Sequence, residues 1–310
     1  MTKLRIGIVG AGMIARNQHI PAIVANEAFE LVGCVDPAAQ IAGVESHPSL
    51  QALVHATRPD AVAVCTPPQV RHTIARAALG AGLHVLLEKP PCATVGELED
   101  LAACAQRVGV SLYTAWHSQH ASAVGAARDW VAVHRARRIR VEWREDVRRW
   151  HPGQRWIWQP GGLGVFDPGI NALSILTSIL DAPLYVTRAR LDYPANQAAP
   201  IAASLSLAAG GDVAIAAEFD WRLTGTQAWD IAVEAADGAQ MLLSMGGTRI
   251  STQATAPGDA LEGEYPAIYR RFAALAASRR SEVHAAPLRV VADAFLTGER
   301  TSVAPFDGSA

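Results

Sequence analysis

The stretch Lys3-Leu-Arg-Ile-Gly-Ile-Val-Gly-Ala-Gly-Met-Ile-Ala15 constrains this chain more than any other, because it runs from a short apolar strand into a glycine turn and on into a helix. Gly10 lets the chain turn sharply off the strand, Gly12 has no Cβ to keep the backbone from a ligand, and Ala15 lets helix and strand pack closely. The N–H groups at that helix N-terminus, with the helix dipole behind them, favour a phosphate. The next apolar run, Phe29 to Asp36, has strand character and ends in an acid about twenty residues beyond the last small residue. Asp36 can therefore accept hydrogen bonds from ribose hydroxyls, and the whole unit reads as a dinucleotide site.

The grammar then repeats. Gln51 to Arg58 is expected to be helical, Asp60 to Cys65 is a third apolar run, and Thr66-Pro67-Pro68 follows it. A helix is expected from Val70 to Leu79, then a strand His84 to Leu87 that delivers Glu88-Lys89-Pro90-Pro91 at its C-terminal end. A helix Val95 to Gln106 and a strand Val110 to Thr114 complete this half. Alternating strands and helices imply an α/β fold, a Rossmann domain with a parallel sheet and right-handed crossovers. In such sheets ligands bind beyond the carboxyl ends of the strands, where Gly10, Asp36, Thr66 and Lys89 would all lie. His72, near a helix start, reads as local structure.

From Arg138 the pattern changes to strands with little helix between them: Arg138 to Val147, Leu184 to Tyr193, Ile201 to Leu207, Asp212 to Trp221, Trp229 to Ala235 and Ala239 to Leu243. Gly210-Gly211, Asp237-Gly238 and Gly246-Gly247 sit where hairpin turns would. This predicts a C-terminal α+β domain with a largely antiparallel, open-faced sheet, interrupted by a Trp- and Gly-rich insertion, His151 to Leu180, with a helix from Pro168. The expected domains are 1–117 and 118–310, with a last helix near 288–296 returning to the first and no clear structure after Gly298. An uncovered apolar sheet face would pair across a two-fold axis, so a homo-oligomer is expected.

At 310 residues with a net charge of -2, the chain can bury two moderate cores and favours small molecules over nucleic acid or anionic membrane as partners. No apolar run is long enough to span a bilayer, and no signal segment opens the chain, so a cytoplasmic protein is expected. Cys34, Cys65, Cys92 and Cys104 lack the spacing of zinc or redox sites, so no metal is expected, and they read as reduced, buried thiols.

With the glycine turn, Glu88-Lys89-Pro90 and Asp167 in view, the chain resembles the Gfo/Idh/MocA family of NAD(P)-dependent sugar and polyol oxidoreductases across essentially its full length. Within it, Glu88-Lys-Pro-Pro91, Trp116-His117-Ser118, Glu145-Asp-Val-Arg-Arg-Trp-His-Pro-Gly153 and Pro160-Gly-Gly-Leu-Gly-Val-Phe-Asp-Pro-Gly-Ile-Asn-Ala-Leu-Ser174 look like the L-arabinose/D-galactose 1-dehydrogenases. The resemblance implies oxidation of C1 of a pyranose (L-arabinose, D-galactose or D-fucose) to its lactone, with hydride passing to a nicotinamide. It also implies a cofactor site of Gly10, Gly12, Met13, Ile14, Asp36, Thr66, Pro67, Glu88 and Lys89, and it favours His117, Glu145, Trp150 and Trp229 as sugar contacts. Many family members carry Asp-x-x-x-His where this chain has Asp167-Pro-Gly-Ile-Asn171. Neutral Asn cannot take a proton, so Asn171 can only orient or hydrogen-bond.

Such chemistry needs a base for the C1 hydroxyl proton, worth about a hundred- to ten-thousandfold. Asp167, followed by Pro168, reads as a helix N-cap, which also holds a carboxylate in place. The expected assignment has Asp167 taking the proton and Lys89 steadying the same oxygen; the reverse, Lys89 as base, stays open. Asn171, four residues on, shares a helix face with Asp167. Four of the eight Trp lie between Trp143 and Trp158, beside Glu145, Asp146, Arg148, Arg149 and His151, a composition that suits either a pyranose pocket or an ordinary core edge. Asp36 would repel a 2′-phosphate and Pro37-Ala38-Ala39 offers no Arg to receive one, so NAD is expected over NADP, with Arg16 on the first helix leaving NADP use open. Another sugar or polyol reaction, or a non-catalytic NAD-binding sensor on the same fold, are the alternatives.

Overall fold

The computed structural model describes residues 3–210, 212–252 and 263–307. The chain forms two compact units, Met1–His117 with Glu264–His284, and Ser118–Gly263 with Ala285–Ala310.

In the first unit β1 (Leu4–Val9) leads through the glycine turn into a helical segment whose Ala15–His19 turn is π-wound before α1 (Ile20–Val24). There follow β2 (Phe29–Val35), a short edge strand β3 (Ser46–His47), α2 (Leu50–Thr57), β4 (Ala61–Val64), α3 (Pro68–Gly80), β5 (His84–Glu88), α4 (Val95–Val108) and β6 (Leu112–Ala115). The strands are all parallel in the order β3-β2-β1-β4-β5-β6. The chain winds out from β1 in both directions, and the crevice at that reversal is where such sheets bind ligands. Helix ends follow local chemistry: Ser49 caps α2 through Ala52 N–H at 3.1 Å, and Thr94 and Glu97 form a reciprocal capping box on α4. Ile6, Ile8, Ala61, Ala63 and Leu86 of the sheet are sealed by Ile23 and by Ile268, Tyr269 and Phe272 of a helix that arrives late in the chain. Each of the isoleucine, leucine and phenylalanine side chains contributes about 1.5–3 kcal/mol on burial.

The second unit begins with α5 (Val124–His134) and β7 (Ala136–Arg144), followed by the short α6 (Val147–Trp150) and by α7 (Phe166–Ile179). Then come β8 (Leu184–Pro194), β9 (Ala202–Ala209), β10 (Val213–Asp220), β11 (Ala228–Ala235), β12 (Gln240–Ser244) and β13 (Arg249–Thr252). Helix α8 (Glu264–Ser278) belongs to the first unit, while α9 (Ala286–Thr297) and β14 (Glu299–Val303) complete the second. The sheet runs β13-β12-β11-β7-β10-β9-β8-β14, antiparallel except for the β7–β10 and β8–β14 pairs. Alternation puts Ile139, Val141, Trp143, Ile215, Ala217 and Phe219 on the buried face. Against it lies α7, so close that a Cβ at Gly169 would come within 2.8 Å of the Phe219 ring.

Four expectations need correction. The segment that joins the first unit is Glu264–His284, whereas the helix near 288–296 packs on α7 and β8 in the second; amphipathic spacing shows that a helix has an apolar face, not which sheet will cover it. The residues after Gly298 form an edge strand parallel to β8, a pairing set by a partner more than a hundred residues away in sequence. The uncovered sheet face is mixed rather than uniformly apolar: Arg138 pairs with Glu234 at 2.9 Å, Arg140 with Glu142 at 2.6 Å, and Ser204 donates to Glu218 at 2.7 Å, with Ala214, Ala216, Ala232, Tyr185 and Leu242 exposed among them. Finally, α7 begins at Phe166 with Val165 as its cap residue, and Asp167 N–H donates to Gly164 O at 2.8 Å, so Asp167 sits inside the first turn and does not cap it. Of the glycine turns, Gly210, Gly238, Gly246 and Gly247 take positive φ as hairpins require, and Gly211 lies outside the described residues.

Candidate active site

In the first unit the predicted cofactor residues stand where strands end. Gly10 has φ +96°, and a Cβ there would fall 2.8 Å from Thr66 N and 2.9 Å from Cys65 C, so glycine is required both by conformation and by the close approach of β1 to β4. At Gly12, by contrast, a Cβ would meet nothing within 4 Å: the space over the turn is open, as a pyrophosphate cradle needs. Met13 and Ile14 beside it are 51% and 37% exposed, apolar surface that a bound ligand would cover. These residues fit a dinucleotide. Asp36 is held by Ala11 N–H at 2.7 Å on one oxygen and by Ala38 and Ala39 N–H at 2.8 and 2.9 Å on the other. Arg16 reaches back from the helix, Nε donating to Ala11 O at 2.8 Å and Nη2 to Gln40 O at 3.0 Å, so its guanidinium spans the glycine turn and the loop after Asp36.

Behind these strand ends lies a buried network that sequence reasoning missed. Arg71 of α3 donates to the carbonyls of Thr66, Glu88 and Pro90, tying the ends of β4 and β5 together. The Glu88 carboxylate accepts from Lys89 N–H and from Tyr265 Oη, and meets His19 Nε2 at 3.5 Å. The other His19 nitrogen bonds Tyr269 Oη at 2.8 Å. Burial works against charge on both partners. For His19 the neighbouring Cys65 and Glu88 outweigh it and raise the imidazole to about 10; for Glu88, His19 and then His117 and Lys89 outweigh it and hold the carboxyl down at about 2. His117 lies in this unit too, its Nδ1 at 2.6 Å from Glu264 Oε2 and its ring stacked on Tyr265; burial again opposes its charge, and Glu264 and Glu88 raise it above the usual imidazole range. No local spacing links Tyr265 or Tyr269 to His19. Only the returning α8 does.

Of the predicted sugar residues, Lys89 and His117 belong to the first unit, and the second gathers the others around Glu145, which is buried. Trp229 Nε1 donates to its Oε2 at 2.8 Å and Trp221 Nε1 to its Oε1 at 3.3 Å. His151 Nε2 lies 3.2 Å from Oε1, and the opposite nitrogen, Nδ1, is 3.6 Å from Oδ2 of the buried Asp167. Trp150 and Trp229 meet with ring centroids 4.9 Å apart, and Asn171 is half-buried one helical turn beyond Asp167. Thus Glu145, Trp150, Asp167 and Trp229 are brought together as the sequence suggested, and His151 and Trp221 join them. The other polar neighbours are local: Asp146 caps α6 and pairs with Arg148 at 2.9 Å, and Arg149 lies over the Trp150 ring. His72 joins α3 to α4 through Asp100 at 2.9 Å. All four cysteines are free, Cys65 being half-buried rather than buried, and burial pushes the Cys92 thiol up to about 12. Among the described residues no helix is long and apolar enough to cross a membrane.

Comparison with known proteins agrees with this geometry. Residues 4–115 match the family described as "Oxidoreductase family, NAD-binding Rossmann fold". The chain is 46% identical over 307 residues, 99% of each chain, to a galactose 1-dehydrogenase from Pseudomonas fluorescens. The crystal structure of a D-galactose-1-dehydrogenase from Rhizobium etli superposes with a TM-score of 0.92 at 47% identity, again over 99% of both chains. A 3-ketoreductase from Actinomadura kijaniata, at TM-score 0.82 and 18% identity over 97% of this chain and all of that one, shares the fold. A glycine cradle at the head of a parallel sheet, a Glu-Lys-Pro turn at the end of β5 and full-length similarity of this kind leave one conclusion: the chain belongs to the Gfo/Idh/MocA family of NAD(P)-binding oxidoreductases.

Proposed function

We propose that the protein is an NAD-dependent aldose 1-dehydrogenase that oxidises C1 of a pyranose of galactose configuration (D-galactose, L-arabinose or D-fucose) to the lactone. One observation carries the reading: a carboxylate held by two indole N–H groups, Glu145, lies beside a Trp150–Trp229 aromatic wall and is linked through His151 to a second carboxylate, Asp167. Aromatic faces suit sugar C–H surfaces, and a fixed carboxylate accepts from hydroxyls. Full-length similarity to two galactose 1-dehydrogenases supports the position of attack.

Asp167 takes the C1 hydroxyl proton, and Asn171 hydrogen-bonds the sugar. Lys89 is assigned to the same oxygen on the sequence pattern, steadying its developing charge. His117 is retained as a sugar contact. The nicotinamide, when bound, accepts the hydride from C1. Gly10, Gly12, Met13 and Ile14 would hold the pyrophosphate side, Asp36 the ribose hydroxyls, and Thr66, Pro67, Glu88 and Lys89 the nicotinamide side. Asp36 disfavours a 2′-phosphate, while Arg16, bridging Ala11 and Gln40, supplies the one guanidinium tied to that loop by the bonds described, so NAD leads and NADP is used more weakly. Rows of both charges on the open sheet face suit pairing with a second copy, and four free thiols suit a reducing cytoplasm.

The test is a sugar panel with each nicotinamide cofactor, following absorbance of the reduced ring and trapping lactone with hydroxylamine. Activity on galactose or arabinose with a higher kcat/KM for NAD is expected; no oxidation of any aldose would reject the reading.

A further inference from the structure

Of the described groups that bond the Glu145 carboxylate, all but one have a fixed polarity. Indole N–H groups can only donate, so Glu145 accepts from Trp221 and from Trp229. His151 is the ambiguous member, with Nε2 at 3.2 Å from Glu145 Oε1 and Nδ1 at 3.6 Å from Asp167 Oδ2. A neutral imidazole carries one N–H. Placed on Nε2, that proton makes the shorter contact, with Glu145, and leaves Nδ1 and Asp167 Oδ2 as two acceptors 3.6 Å apart, a pair that lacks a proton until Asp167 takes one; placed on Nδ1, it would serve a contact too long for a hydrogen bond and leave two acceptors at the shorter distance, Nε2 and Oε1.

We propose that His151 is a positioning residue with a relay role, held by Glu145 as the Nε2–H tautomer so that its Nδ1 removes from Asp167 the proton that Asp167 takes from the sugar. The inference rests on the function proposed above. The steps balance: the C1 O–H bond breaks as an Asp167 O–H bond forms, the C1–H electron pair leaves as hydride to the nicotinamide while C1–O becomes a double bond, and the proton then passes from Asp167 Oδ2 to His151 Nδ1. A shortening of about 0.5 Å brings the last pair into hydrogen-bond range, as catalytic contacts that are long in the free protein commonly do when substrate binds. The imidazolium so formed faces Glu145 on one side and Asp167 on the other, and it also abuts the Trp221 ring at 5.2 Å. His151 is 13% exposed, which gives the proton a way out to solvent. The arrangement has the logic of a base, an imidazole and an orienting carboxylate in series, with sugar hydroxyl oxygen as the group deprotonated.

The experiment uses the full chain in four measurements. Nitrogen-15 NMR of labelled histidine reads the His151 tautomer, assigned by its loss in His151→Gln; the Nε2–H form is expected, and an Nδ1–H form or a resting imidazolium overturns the proposal. His151→Gln, which can donate to both carboxylates but cannot carry the proton onward, is expected to lose about tenfold or more in kcat with sugar KM held within about threefold. His151→Gly is expected to regain kcat with added imidazole. Sugar affinity, read by tryptophan fluorescence without cofactor, is expected to stay near wild type in His151→Gln. Wild-type kcat in His151→Gln, or a change confined to KM and sugar affinity, would leave His151 as a structural or substrate contact only. Because the tautomer is read whether or not any sugar turns over, rejection of the dehydrogenase reading and rejection of the relay are separate results.

Discussion

In the nucleotide-type unit the candidate ligand groups occupy backbone positions that the parallel sheet presents as a matter of course: Gly10 and Gly12 in the turn after β1, Asp36 after β2, Thr66 after β4 and Lys89 after β5. In the sheet unit the chemistry depends on side chains from separate segments meeting at one point, Glu145 and His151 around α6, Asp167 on α7, Trp221 after β10 and Trp229 in β11. The glycine turn of the first site is made of backbone and is robust to side-chain change except where a Cβ cannot fit. A site made of side chains is sensitive to each hydrogen-bonding atom, because an unpaired buried polar group is expensive.

That contrast can be broken by substitution. The largest effect is expected for Asp167→Asn, which keeps the shape and removes the base: kcat/KM should fall by about a hundred- to ten-thousandfold with nucleotide affinity unchanged, measured by steady-state kinetics and cofactor titration. If Lys89→Met abolishes the pH dependence while Asp167→Asn spares turnover, the base assignment is reversed. Glu145→Ala is next, because it leaves two indole N–H groups and His151 without their acceptor; sugar KM should rise about ten- to a hundredfold, again with cofactor binding intact. Gly10→Ala tests the other side of the contrast. It forces a side chain into positive φ and against Thr66, costing about 1–3 kcal/mol, and should lower the Tm and nucleotide affinity while leaving sugar affinity in the second unit alone. A smaller effect is expected for the cofactor pair: Asp36→Ala should shift the NADP-to-NAD efficiency ratio upward by about tenfold, and Arg16→Ala should move it down.

The smallest effect concerns the buried His19–Glu88 pair, and it is one of pH. His19 is raised in the folded protein from 6.5 to about 10, so the stability it contributes is complete below about 6.5 and fades as pH rises toward 10. Glu88 is depressed from 4.5 to about 2, so its contribution is complete above about 4.5 and fades as pH falls toward 2. The pair contributes most between these limits. His19→Asn should therefore show its greatest Tm deficit relative to wild type near pH 5 to 6, as the window between 4.5 and 6.5 requires, with the deficit narrowing toward pH 10; a constant deficit across that range would show that packing, not charge, is what His19 supplies.

Sequence spacing gave the strand-turn-helix order of the first unit, the change to hairpins in the second and the Glu-Lys-Pro and Trp-rich strings, because each is a local pattern whose period or turn chemistry is written in neighbouring residues. The same local patterns misread Asp167 as a cap: the helix starts one residue earlier, at the buried Phe166, and Gly164 O takes the Asp167 N–H. They read the open sheet face as apolar, whereas Arg138, Arg140, Glu142 and Arg144 alternate onto it beside exposed Tyr185 and Leu242.

What the amino-acid order determined by itself is the nucleotide-binding half, since glycines that permit one backbone path and an acid at the end of the second strand act through neighbours in the chain. What only the tertiary structure decided is which distant side chains share a buried space: that Tyr265 and Tyr269 close over His19 and Glu88, and that His151 stands between Glu145 and Asp167. Those choices are made by long-range packing and by the need of every buried polar atom for a partner, and neither is encoded within a window of sequence.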